Sequence, residues 1–153
     1  MKKLHNYLLL ILVAILVTGC NNSNGIKETS FDKTLKTHLD AIINGNLAEL
    51  APTVDDNVIL ISPEGDMLKS KKSFMKLHEK WFKLKNWKWT PKTITKQSND
   101  SVGHVLLQYN FTMKDTLGNT IVNDNNYLLL MFRNSKKGWQ LVHDQNTKIK
   151  QRP

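Results

Sequence analysis

The chain has 153 residues, 40% hydrophobic and 23% charged, with 22 Lys and Arg against 13 Asp and Glu, a net charge of +9 and one cysteine. That is the composition of about one globular domain, and it excludes collagen-like, disordered and disulfide-stapled classes. Five scattered histidines and one Cys form no His-x-x-x-His or Cys-x-x-Cys pair, and there is no Gly-rich phosphate loop or Gly-x-Ser-x-Gly elbow, so neither a metal nor a cofactor is expected.

Lys2 and Lys3 precede an apolar run from Leu8 to Val17, and Thr18-Gly19 supplies small residues before Cys20. These are the features of a signal peptide. The run reaches only about 15 Å as a helix, half the hydrocarbon core, which disfavours a permanent span. Val17-Thr18-Gly19-Cys20 resembles the lipobox of bacterial lipoproteins, in which the Cys becomes the lipidated first residue. The resemblance implies a signal peptide over 1–19, lipidated Cys20 with a polar tether over 20–28, and a folded domain over 29–150. It also implies a lipid bilayer as partner and a place in the bacterial cell envelope. By resemblance to Gram-negative lipoproteins, the lack of Asp at position 21 implies the outer membrane, facing the periplasm. Losing residues 1–19 removes Lys2 and Lys3 and no acid, leaving 20 basic residues against 13 acidic ones and a net charge of +7.

Phe31, Leu35, Leu39, Ile42 and Ile43 recur at steps of three and four, predicting a helix over 30–44 with Ser30 as its cap. Gly45 stops it, Asn46 caps a second short helix before Pro52, Val58 to Ser62 reads as a strand, and Pro63-Glu64-Gly65-Asp66 as a turn. Ser70 to Lys85 is a helix with Phe74, Leu77, His78, Trp81 and Phe82 on one flank and lysines on the other. Ten lysines against one acid, Glu79, lie between Lys69 and Lys96. A solvated helix face explains them better than a polyanion site, and nucleic acid is not an expected partner, since the region lacks the arginine that bidentate phosphate recognition favours. Four β segments follow, 87–95, 102–113, 120–133 and 139–149, joined by turns too short for parallel neighbours. The class is α+β.

Gly138-Trp139-Gln140-Leu141-Val142-His143-Asp144-Gln145-Asn146-Thr147 resembles the closing strand of the nuclear transport factor 2-like superfamily, which includes snoal-like cyclases, ketosteroid isomerases and a kinase association domain. The helix ending at Gly45-Asn46, the Pro63-Glu64-Gly65 turn, the helix carrying Phe74 and Trp81, and Gly118 in a hairpin come in the same order. The resemblance implies a cone: a strongly curved antiparallel sheet wrapped around about three helices, open at one end and often dimerising through its outer face. A homodimer and a small-molecule ligand are therefore expected.

Strict alternation along the last strand puts Trp139, Leu141, His143 and Gln145 on one face and Gln140, Val142, Asp144 and Asn146 on the other. If Trp139 and Leu141 mark the concave side, His143 and Gln145 join His78 and Trp81 in a candidate pocket. His143, His78 and Tyr109 are candidate catalytic residues, a His as general base and a tyrosine or Gln145 at a developing oxyanion. Asp55-Asp56 and Arg133 read more simply as turn punctuation and an exposed charge. Three functions remain open: a membrane-tethered small-molecule-binding domain, an isomerase, cyclase or dehydratase, and a structural module that holds an envelope partner.

Overall fold

The structure is a computed structural model that describes residues 30–150. The signal peptide, Cys20 and the tether lie outside the described residues. Helix α1 (Ser30–Ile43) buries Phe31, Leu35, His38, Ala41 and Ile42 at the expected spacing. It ends in a Schellman turn, with Asn46 N bonded to Ala41 O, Gly45 N to Ile42 O, and Gly45 at the left-handed φ of 63° that this turn requires. The Asn46 side chain then accepts from Ala48 N and Glu49 N, capping α2 (Leu47–Leu50), and a 3-10 turn (Ala51–Thr53) leads into β1 (Val54–Ile61).

Strand β1 begins four residues before the expected Val58 and hairpins onto a short strand, β2 (Met67–Lys69), that hydropathy did not signal. Ser70, expected inside the next helix, is instead the cap of α3 (Lys71–Phe82), which stops before Lys85. Strands β3 (Trp87–Ser98), β4 (Val102–Lys114), β5 (Thr120–Ser135) and β6 (Gly138–Lys148) form the expected antiparallel meander. The sheet as a whole is mixed, because β1 lies parallel to β6, giving the order β2-β1-β6-β5-β4-β3. Curved and unclosed, it wraps the helices as a cone, with Leu107, Leu130, Phe132 and Leu141 fully buried on its inner face.

One irregularity sets the chemistry of that inner face. Phe132 pairs with Leu141 and the next residue, Met131, pairs with His143, so Val142 has no partner on β5. This is a β-bulge, and an extra residue reverses which face every later side chain occupies. Trp139 and Leu141 face the core before it; Asp144 and Asn146, opposite inward-facing Leu130 and Leu128, face the core after it.

Candidate functional site

Between the sheet and helices α1 and α3 lies a cavity of about 360 Å³, within the roughly 300–1,000 Å³ of small-ligand pockets. Trp81 from α3, Trp89 from β3 and Tyr109 and Phe111 from β4 give it aromatic walls. Asp144 and Asn146 enter from β6, Asp124 and Asn126 from β5, and Glu64 from the turn after β1. Asn146 organises the polar side: its Nδ2 donates to Asp144 Oδ1 at 2.6 Å and to Ile61 O at 3.1 Å, and its Oδ1 accepts from the Tyr109 hydroxyl at 3.0 Å. Tyr109, Asn146 and Asp144 thus form one chain of hydrogen bonds along the wall.

Burial governs the protonation of this chain. Asp144 is 4% exposed, and loss of solvent pushes its carboxyl up to about 7 against the opposing pull of the Asn146 hydrogen bond. The Tyr109 hydroxyl is driven well above its ordinary range, first by desolvation and then by the charges of Asp144, Glu64 and Asp124. His78 donates Nδ1–H to Phe74 O at 2.9 Å, and desolvation lowers it to about 4, so its ring is neutral at pH 7. Two buried polar atoms on cavity residues lack partners: the Asn126 Oδ1 and the Trp81 indole N–H, the latter packed among the rings of His78, Trp87 and Phe111.

The family model of the SnoaL-like domain matches residues 32–146, which spans both helices and every strand that builds this cavity. The chain belongs to the SnoaL-like family. Among solved structures, this SnoaL-like domain is similar to an uncharacterised protein with a cystatin-like fold from Caulobacter vibrioides, at 13% identity and a TM-score of 0.67, covering 79% of this chain and 88% of that one. It is also similar to a ketosteroid isomerase-like protein from Erwinia carotovora atroseptica, at 15% identity and a TM-score of 0.65 over 83% and 99% of the two chains. A member of the NTF2-like family from Streptomyces avermitilis aligns at 12% identity and a TM-score of 0.65 over 78% and 94%. No curated protein matches it. At these identities the likeness is one of fold.

In this SnoaL-like cone, His78, Trp81 and Tyr109 line the cavity. His143 and Gln145 do not: the bulge at Val142 turns them to the outer face, beside Ile59 and Ile61 of β1, and brings Asp144 and Asn146 inward in their place. Asp55 and Asp56 are also outside the cavity, pairing with Arg133 at 3.1 Å and Lys137 at 3.0 Å. The residues missed by sequence reasoning are Asp144, Asn146, Asn126 and Asp124. Their signal was two carboxylates and two amides on the last two strands, which alternation alone could not orient.

Proposed function

We propose that this chain is a membrane-tethered small-molecule-binding domain whose cone holds its ligand against the Tyr109, Asn146 and Asp144 chain. The observation that carries the reading is an aromatic-walled cavity with a buried carboxyl that pairs with no lysine or arginine among the described residues. A purely structural module would have no use for that arrangement and would sooner fill it with side chains. Lipidation of Cys20 would supply the tether; among the described residues no helix is long and apolar enough to cross a membrane. The outer sheet face would supply a dimer contact, since Leu106, Leu129, Met131, Ile59 and Ile61 lie in adjoining registers there, half-buried. Native mass spectrometry of the protein purified without detergent from its own host tests the reading. A reproducible small-molecule mass, lost in Asp144→Asn, is expected; a ligand-free species that no added small molecule stabilises would count against it.

A second reading is favoured by one observation. A buried carboxyl with a pKa of about 7, linked through Asn146 to a phenol, is suited to moving a proton at neutral pH. In an isomerase or dehydratase of this kind Asp144 would be the base, because His78 is held neutral and weakly basic and His143 is outside the cavity. Solvent deuterium entering the carbon next to a carbonyl in small ketones, abolished in Asp144→Asn, would establish it.

A further inference from the structure

The chain is strongly basic, yet its cavity is acidic. Glu64, Asp124 and Asp144 line it, and among the described residues no lysine or arginine does. Lys148 reaches Asp124 at 3.8 Å from an exposed position, and no lysine or arginine among the described residues pairs with Asp144. The three carboxylates are spread around the walls: no group of three His, Cys, Asp or Glu among the described residues is arranged to hold a metal ion. What they surround is aromatic, with Trp81, Trp89, Tyr109 and Phe111 supplying rings whose faces attract cations. Asn126, 3% exposed and lining the same cavity, keeps an acceptor oxygen with no donor. An N–H donor on the ligand would satisfy it, and leaving such a buried acceptor unmet is costly.

Building on the binding reading above, we infer that the cavity takes an organic ammonium ion: a protonated amine on a small apolar or aromatic body. The charged nitrogen lies at Asp144, and the body lies against the aromatic walls. A cation supplies the counter-charge that Asp144 lacks, so the carboxyl gives up its proton on binding. An anionic ligand meets three carboxylates, and a neutral one leaves Asp144 protonated.

Three probes of matched shape separate these cases: 2-phenylethylammonium, 2-phenylethanol and phenylacetate, titrated into the full chain and followed by tryptophan fluorescence and calorimetry. The cation is expected to bind at least tenfold more tightly than the alcohol, and phenylacetate more weakly than either. Asp144→Asn is expected to erase the preference for the cation while leaving the alcohol's affinity within about twofold. Between pH 6 and 8 the cation's affinity is expected to rise about tenfold as the competent, ionised Asp144 is populated, with proton release that scales with buffer ionisation heat. The other titratable groups facing Asp144 are Tyr109 on β4, His78 on α3, Asp124 on β5 and Glu64 on the turn. Tyr109 and His78 stay neutral over this window. Equal or tighter binding of the alcohol or phenylacetate overturns the inference and leaves the binding reading standing. Failure of all three probes to bind overturns both. Asp124→Asn, at a more exposed position of the lining, is the second variant should Asp144→Asn fold poorly; it too lowers the cation's affinity and spares the alcohol's, and no change in it overturns the inference.

Discussion

Asp144 keeps its proton in the folded chain up to about pH 7, whereas the unfolded chain releases it near 3.8. A raised folded pKa means that its contribution is fully present below pH 3.8 and is lost as pH rises through 7. Asn reproduces the protonated carboxyl's shape and its acceptor toward Asn146 Nδ2. Asp144→Asn is therefore expected to match the wild type at pH 4 and exceed its stability at pH 8 by up to about 4 kcal/mol, read from urea melts at the two pH values. The histidines act on the acid side. His38, buried against Thr53 Oγ1 at 2.7 Å, is lowered to about 3 by desolvation and then by His78, which is itself lowered to about 4. Unfolding lets both bind protons below 6.5, so stability falls as pH drops from 6.5 toward 4, and His78→Gln is expected to flatten that limb in melts at pH 6.5, 5.5 and 4.5. Of the cavity residues, His78 and Trp81 were legible because a helix has one period and no bulge displaced it. Asp144 was not, because its orientation depends on an insertion that leaves no mark in hydropathy.

At the scale of elements, helix ends were legible and strand ends less so. Gly45-Asn46 announces both a stop and a cap, and the structure uses both. Val54-Asp55-Asp56-Asn57 shows no alternation because its acids are paired from the outer side, and so the start of β1 was hidden. The parallel pairing of β1 with β6 was also hidden, since it joins segments about 80 residues apart in sequence. Packing between α1 and the sheet rests on a close approach: a Cβ at Gly103 would lie 2.6 Å from the Phe31 ring, itself held by Phe132 and Trp139 at 5.7 and 5.1 Å. With no free direction for that ring, Gly103→Ala is expected to cost about 1–3 kcal/mol, seen as a lower melting temperature with an unchanged circular dichroism spectrum.

For the whole molecule, the α+β class followed from the order of helices, turns and β segments, which needs only local signals, whereas the cone followed from the resemblance to the nuclear transport factor 2-like superfamily. Assembly is a different matter, because the outer face reveals itself only once register is known. His104, Met131, His143 and Ile59 lie side by side across four strands there, with Leu106, Leu129, Gln145 and Ile61 in the neighbouring row. If two copies meet on this face, Met131→Glu is expected to convert a dimer into monomers in sedimentation velocity without changing the melting of the monomer by more than about 1 kcal/mol. If Cys20 carries the proposed lipid anchor, Cys20→Ala is expected to move the protein from the detergent phase to the aqueous phase on Triton partitioning, with the fold intact.

The unpaired Val142 has a bearing on how such cones diversify. Strand β6 encodes two alternative pocket linings, a carboxylate with an amide and an imidazole with an amide, one position apart. Keeping Val142 but ironing out the bulge, so that Val142 sits opposite Met131 and His143 opposite Leu130, would exchange them, sending Asp144 and Asn146 outward and His143 and Gln145 inward, whereas deleting Val142 would keep the present lining in a regular strand. A slip of one residue in the register of the end of β6 thus trades acid chemistry for imidazole chemistry without altering any residue of the scaffold.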